Sequence, residues 1–494
     1  MTNRQSDSRI VPRKAVKAVG GKPRRASSSL APLCKAISKR KHLLHTEADF
    51  PVPRDGRKKD KQMATELARI AELSTQNPTM VFTSIAHLIN VKLLRDCHEK
   101  MDADKAVGID GVTKEEYGRK LEENLVDLVD RMKKKSYKPK PARRVEIPKD
   151  NGKTRPLSIY CYEDKLVQEA LRRVLEAVFE PMFYDEMMGF RPGRSCHQAL
   201  RKLNTMIERN NTNYILDADI KGFFDHLDHG MIIKFVESRI KDPNIIRLVR
   251  RMLKAGIMKD FIYEPTEEGS GQGSVCSPIL ANLYMHYVLV WWFKERIQPL
   301  LKGYSGLVVY ADDFVVTFQY KNEAEWFYEQ LKRRMGNFGL SLEEEKSRLI
   351  EFGRFAEENC AKKGTKPETF TFLGFTHYCS KGRNGKFRVK RKTSRKKFSR
   401  KLKEVHRKIG EMRMMKTKDI VKKLNEILVG YFHYYGITDN SRSIKSFRYE
   451  VMKSLFYWLN RRSQKKSYNW AGFLKMIDSN HPLAKARIYV SIYA

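Results

Sequence analysis

Three acidic residues stand where a folded chain least readily tolerates them. Asp312 and Asp313 interrupt a run of β-branched and aromatic residues, with Gly306-Leu307-Val308-Val309-Tyr310-Ala311 before them and Phe314-Val315-Val316-Thr317-Phe318 after. Asp219 lies near the end of a second such run, Tyr214 to Ile220. A carboxylate among buried strands is costly unless it is paired or holds a cation. Oxygen-only donors suit Mg²⁺, which keeps waters and takes further ligands from phosphates. Two such ions about 3.5–4 Å apart support in-line phosphoryl transfer. Alone, Tyr310 to Asp313 reads equally as a polar hairpin turn. The case for a shared metal site is that Asp219 presents the same difficulty.

Strand-forming residues flank the two acids, so the segment is expected to be a strand-turn-strand hairpin with its carboxylates at the tip. A strand over Tyr214–Ile220 puts Asp217 and Asp219 on one face. Gly222 ends it, and a helix begins near His229. His226 and His229 lack the convergent partners of a zinc site. A second hairpin is expected over Arg143 to Ile159, turning at Asp150-Asn151-Gly152. Its Lys149, Lys153 and Arg155 are candidate triphosphate contacts. Gln272, in the glycine-rich stretch Gly269 to Pro278, is a candidate nucleotide-pocket contact, the glycines allowing close approach to a ligand. Phe224, five positions after Asp219, could exclude a 2′-hydroxyl by bulk. Ser195 is a plausible helix N-cap behind Arg191 and Arg194, which together suggest an anion site.

The formal net charge of +39, from 97 Lys and Arg against 58 Asp and Glu, points to a polyanionic partner. Nucleic acid is favoured over membrane, since no apolar run is long enough to span a bilayer. The seven cysteines are scattered and form no C-x-x-C pair, which fits a reducing compartment. No secretory signal is visible, so the expected location is the cytoplasm of a bacterium. Residues 1–62 read as a flexible basic arm. Lys381 to Lys403 contains no acid and carries Phe387 and Phe398. That pattern marks Lys390, Arg391, Lys392, Arg395, Lys396 and Lys397 as nucleic-acid contacts. Lys346, after three glutamates, is placed with them. The aromatic clusters at 431–435 and 456–458 read as helix-bundle core.

Seven blocks occur in order: Gly108-Ile109-Asp110-Gly111; Ile147-Pro148-Lys149 to Arg155-Pro156-Leu157; Gly189 to Ser195; Asp219 to Asp225; Gln272-Gly273 to Ser277-Pro278; Tyr310 to Asp313; and Phe372-Leu373-Gly374-Phe375. From about residue 70 onward the chain resembles the group II intron-encoded reverse transcriptases, or maturases. The resemblance implies an α+β right-hand polymerase followed by an all-α basic region. It implies catalytic, metal-binding carboxylates at Asp219, Asp312 and Asp313, served by two Mg²⁺ ions with Mn²⁺ as a substitute. Asp217 matches no family position. The implied divisions are the arm at 1–62, an N-terminal fingers extension at 63–125, fingers and palm at 126–378, a thumb/maturase domain at 379–475, and a tail at 476–494 read as a remnant DNA-binding region.

The implied partners are intron RNA and RNA template, DNA primer or target, and dNTPs. Ser270-Gly271 replaces the family's common Thr-Pro, Ser274 follows Gly273, and Cys276 stands where an aliphatic residue is common. No His-Asn-His endonuclease with cysteine pairs is visible, so mobility is expected to use nicks or forks made by the host. Two other readings are a splicing factor with weak polymerase activity and a reverse transcriptase domesticated for defence or retron-type synthesis. The acidic triad argues against the first, and the long basic C-terminal region against the second.

Overall fold

Among the described residues, strands and capped helices follow one another along the chain, and the strands collect into three sheets. The computed structural model describes residues 60–148, 154–259, 262–465 and 467–493. In chain order the strands are β1 (Ala142–Pro148), β2 (Thr154–Ile159), β3 (Tyr214–Asp219), β4 (Ile257–Lys259), β5 (Ile262–Glu264), β6 (Ser305–Tyr310), β7 (Asp313–Phe318), β8 (Arg348–Glu351), β9 (Phe370–Phe372), β10 (Phe375–Lys381) and β11 (Phe387–Thr393). The first sheet has the order β2-β1-β4-β5, the central sheet β6-β7-β3-β8 and the third β11-β10-β9. After Thr393 the main elements are the helices Arg395–Glu411, Thr417–Tyr435, Ser441–Leu459 and Trp470–Asn480. The architecture is the expected α+β part followed by a helical region. Among the described residues no helix is long and apolar enough to cross a membrane.

The central sheet is a wall shared by two cores, and the pleat decides which core each residue enters. Leu216, Ala218, Leu307, Val309, Phe314, Val316 and Phe318 join the larger core, with Leu171 of the helix Tyr162–Phe179 and Phe327 of the helix Lys321–Gly336. Ile215, Val308 and Val315 join a second core. That core also takes Leu200 and Leu203 from the helix Cys196–Glu208, and Phe370, Phe372, Phe375 and Val389 from the third sheet. Burial on both faces explains why β6 and β7 read as apolar runs rather than as alternating ones. By the same alternation Asp217, Asp219, Tyr310 and Asp313 belong to the second face, the one carrying the third sheet.

Local signals placed many elements well. The helix Tyr162–Phe179 carries Glu163 and Asp164 in its first turn, where the macrodipole favours them. Ser195 caps its helix through a full capping box with Gln198. The domain limits need correction, because all four fall inside regular elements. The cuts at 62/63, 125/126 and 475/476 divide the helices Asp60–Gln76, Leu121–Lys133 and Trp470–Asn480, and the cut at 378/379 divides β10. A resemblance carried by short blocks places a division only approximately, whereas an element ends where its backbone hydrogen bonds end. Nor do residues 476–493 form a separate tail. Ile492 is buried in the second core, Val490 bridges Ile437, and the Tyr493 hydroxyl donates to Asp439. The arm at 1–62 lies almost wholly outside the described residues, as do Lys149, Lys153 and the turn between them.

Candidate active site

Tyr310 and Asp313 close the β6–β7 hairpin as its last register pair, leaving Ala311 and Asp312 as a two-residue turn. Ala311 has φ +60°, the left-handed first position of a II′ turn, which costs a non-glycine residue about 1 kcal/mol. The turn is braced from behind. Met188 N–H donates to Val309 O and Val309 N–H to Glu186 O, both at 2.8 Å. A Cβ on Gly189 would lie 2.3 Å from the Ala311 nitrogen, so only glycine permits this approach. Asn282 Nδ2 holds the Gly189 carbonyl at 2.9 Å. Asp313 is thus the first residue of β7 and stands directly across from Asp219 on β3. Asp312 projects from the turn beside them.

The acids destabilise one another's charge. Desolvation lifts Asp313 well above the usual carboxylate range, with Asp217, Asp312 and Asp219 adding to the effect and the Leu373 N–H opposing it. Asp312 is raised by burial and by Asp219, against Arg155 and Lys346. Burial pushes Asp217 up to about 6, with Arg348 opposing. One cation already rests on the group: Lys346 Nζ lies 2.7 Å from Asp219 Oδ2. The segment carrying it wraps the end of β3. Glu343 N–H donates to Asp219 O at 2.8 Å, and Asp219 N–H donates to Ser347 Oγ at 3.4 Å.

Among the described residues no group of three or more His, Cys, Asp or Glu forms a ready-made metal cage. The donors nevertheless fit Mg²⁺. They are oxygen-only, they crowd negative charge, they draw an ammonium, and they leave coordination positions for phosphate oxygens.

Three of the predicted nucleotide contacts, Arg155, Phe224 and Gln272, lie among the described residues. Arg155, exposed on β2, is close enough to favour the ionised form of Asp312. Phe224 is half-buried, edge-on to Phe190 at 6.2 Å and to Phe223 at 5.4 Å. Gln272 Nε2 donates to Asp225 Oδ1 at 3.1 Å, one residue beyond Phe224. The glycine-rich stretch approaches protein rather than open space. Ser158 N–H donates to Gln272 O at 2.8 Å, and a Cβ on Gly273 would meet the Ser158 carbonyl at 2.3 Å. Gly271 and Gly273 fasten the loop to β2 and Gly269 lies against the Phe224 and Asp225 carbonyls, which corrects the expectation that these glycines serve ligand approach.

Family comparisons match this organisation. Residues 147–377 match the family described as reverse transcriptase (RNA-dependent DNA polymerase), and residues 395–473 match the group II intron maturase-specific domain. The chain belongs to the group II intron-encoded reverse transcriptase and maturase family. It is 28% identical over 456 residues to the group II intron-encoded protein LtrA of Lactococcus lactis subsp. cremoris, covering 78% of this chain and 75% of LtrA. It is 30% identical over 315 residues to protein YkfC of Escherichia coli, covering 57% of this chain and 78% of YkfC. It is also 34% identical over 238 residues to the 91 kDa protein in the cob intron of Schizosaccharomyces pombe, covering 47% of this chain and 29% of that protein. The maturase match begins with the helix that follows the third sheet.

In this maturase-family chain, several expected nucleic-acid contacts have other duties. Arg191 is buried. Its guanidinium pairs with Glu180 and donates to the Tyr184 and Met187 carbonyls at 2.8 and 2.9 Å. Arg194 pairs with Asp185. The predicted anion site is therefore a brace for the loop behind the hairpin. Lys346 is bound to Asp219, with Glu343 at 3.6 Å. Arg391 is fully buried, because β11 turns positions 389, 391 and 393 inward. It donates to Asn204 Oδ1 at 2.9 Å. Its neighbours behave differently: Lys390 is half-buried, Lys392 is exposed, and Arg395, Lys396 and Lys397 are exposed on the first turn of their helix. Sequence reasoning undervalued Asp217, although period-2 spacing from Asp219 signalled it. It read Leu373 only as part of a family block and Tyr434 only as core, and no local pattern joins the two, which the fold links by a hydrogen bond.

Proposed function

We propose that this chain is an RNA-directed DNA polymerase that also binds intron RNA and assists its splicing and mobility. The observation supporting the polymerase reading is the cross-strand pair Asp219 and Asp313 with Asp312 on the adjoining turn. On this reading the first sheet belongs to the fingers, the central sheet to the palm, and the helices after Thr393 to the thumb and maturase region. Asp219, Asp312 and Asp313 would hold divalent metal, Mg²⁺ in this reading. Bound there, it would lower the pKa of a primer 3′-hydroxyl and neutralise charge on the triphosphate.

The chain's own groups then have distinct tasks. The hairpin and β3 fix the carboxylates on rigid elements, so little reorganisation is needed during reaction. Lys346 neutralises Asp219 and keeps the acid cluster compatible with folding when no metal is present. Arg155 brings a fixed positive charge toward the triphosphate, with Lys149 and Lys153 beside it in sequence. Phe224 lies against the sugar, and Gln272, tied to Asp225, borders the nucleotide pocket. Lys390, Lys392, Arg395, Lys396 and Lys397 contact RNA phosphates. A bacterial cytoplasmic setting completes the reading. It is supported by the similarity to the bacterial proteins LtrA and YkfC.

The purified chain is expected to extend a DNA primer on an RNA template with dNTPs and Mg²⁺. Asp312→Ala abolishes extension while intron RNA binding persists. Extension at the wild-type rate in that variant would refute the assignment of the acids. RNA binding and splicing assistance by a wild-type chain that never extends a primer would favour the splicing-factor reading.

A further inference from the structure

The turn joining β9 to β10 consists of Leu373 and Gly374, with φ +50° and +79°, and Phe372 and Phe375 form its closing pair. Two consecutive left-handed residues are the type I′ pattern, in which Asn-Gly or Gly-Gly is the usual choice. A leucine here adopts a conformation that its Cβ disfavours, and something around it must hold it. Strand β9, which this turn follows, packs on β7, which Asp313 begins, and the Leu373 N–H favours the ionised form of the Asp313 carboxylate. The Leu373 carbonyl accepts a 2.9 Å hydrogen bond from the Tyr434 hydroxyl.

Tyr434 is the penultimate residue of the helix Thr417–Tyr435, in the C-terminal helical region. It is anchored on both sides. Its ring stacks on Phe375 at 5.9 Å, and its carbonyl meets His197 Nε2 at 2.9 Å on the helix Cys196–Glu208. Leu373, Tyr310 and Tyr434 all pack on the second core, the face of the central sheet to which the acids belong. A continuous path therefore runs from the C-terminal helix, through one residue in a left-handed conformation, to the acid paired with Asp219.

We propose that Tyr434 is a positioning residue for nucleotide transfer: its hydroxyl holds the Leu373 peptide in the left-handed turn from which the Leu373 N–H orients the Asp313 carboxylate. The proposal rests on the polymerase reading above and extends it, since the acid is set jointly by the central sheet and the C-terminal helical region.

A double-mutant cycle on the full chain, Tyr434→Phe against Leu373→Gly, tests it. Glycine adopts positive φ freely and keeps the N–H, so it removes the need for the tyrosine hydroxyl. In the wild-type background Tyr434→Phe should lower kcat for single-nucleotide incorporation about tenfold, the scale of one hydrogen bond, with the dNTP KM within about twofold. In the Leu373→Gly background the same change should cost less than about twofold. Equal losses in both backgrounds, a loss confined to KM, or wild-type kcat in Tyr434→Phe would each overturn the proposal. Mn²⁺ binding followed by electron paramagnetic resonance, without nucleic acid or dNTP, reads the same geometry independently of turnover. Binding should weaken severalfold in Tyr434→Phe and recover in the double variant, and unchanged binding would overturn the proposal. A wild-type chain that incorporates no nucleotide refutes the polymerase reading, and the Mn²⁺ arm then decides the role of Tyr434 alone.

Discussion

Gly189→Ala isolates the brace behind the catalytic hairpin. The new Cβ would stand 2.3 Å from the Ala311 nitrogen and 2.9 Å from the Tyr310 carbonyl carbon. Ordinary non-bonded contact begins near 3.5 Å, so the two backbones must part by about 1 Å. The Gly189 side cannot take up all of that movement. Its carbonyl is held by Asn282, and the neighbouring Met188 N–H is bonded to Val309. Part of the displacement therefore reaches Ala311 and Asp312. A misplacement of about 1 Å at reacting groups costs on the order of 10²-fold in rate. The overpacking should also remove about 1–3 kcal/mol of stability. Gly193→Ala is the matched control in the same loop. Gly193 has φ +66°, and a Cβ added there would meet nothing within 4 Å, so the variant should lose about 1 kcal/mol of stability and leave the hairpin in place. Single-turnover incorporation at saturating dNTP, with urea unfolding of each variant, separates the two effects. Wild-type incorporation by folded Gly189→Ala, or an equal slowing by Gly193→Ala, would refute the brace.

Arg391→Ala should destabilise the chain by about 3 kcal/mol or more, because it strips the partner from a buried network, and should leave the salt dependence of RNA binding unchanged. Lys396→Ala should do the reverse, flattening the slope of log K against log salt by about 1 while stability stays within about 0.5 kcal/mol. Filter binding across a salt series with parallel unfolding curves checks both. Phe224→Ala should raise the ratio of ribonucleotide to deoxyribonucleotide incorporation by about tenfold or more, and an unchanged ratio removes its role as a steric gate. Asp164 is buried, accepts from Tyr137 OH at 2.6 Å, and is pushed up to about 6 chiefly by desolvation. Its raised value makes the protonated form the stabilising one. The contribution is complete below the unfolded value near 4 and is lost as pH rises through about 6. Asp164→Asn should therefore flatten the fall in stability between about pH 4.5 and 7 seen by urea unfolding.

The features legible in the sequence were those whose physical cause is local. Ser195 as a helix N-cap rests on short-range chemistry, and the cap is present, completed by Gln198. The acids were legible because a carboxylate inside an apolar strand conflicts with its neighbours, whatever the tertiary structure. Their exact arrangement was not, since it depends on register. Tyr310 pairing with Asp313, and not with Asp312, puts one acid on the turn and the other on the strand. Asp217 falls beside Asp313 only because β3 and β7 are neighbours in the sheet.

The misplaced arginines show why charge is a poor guide to location. Arg191, Arg391 and Lys396 are equivalent in a count of positive residues, and the +39 total correctly points to a polyanion. Whether one cation meets that polyanion depends on the acceptors that the fold brings to it. Arg191 meets Glu180 and carbonyls from the loop before its own, and Arg391 meets Asn204 from a helix 187 positions earlier. Lys396 lies on an exposed first helical turn. Removing either buried arginine leaves acceptors without a partner inside the protein, whereas removing Lys396 leaves only solvent and any bound phosphate. The three changes should therefore separate into two stability losses and one affinity loss, although the formal charge falls by the same amount in each.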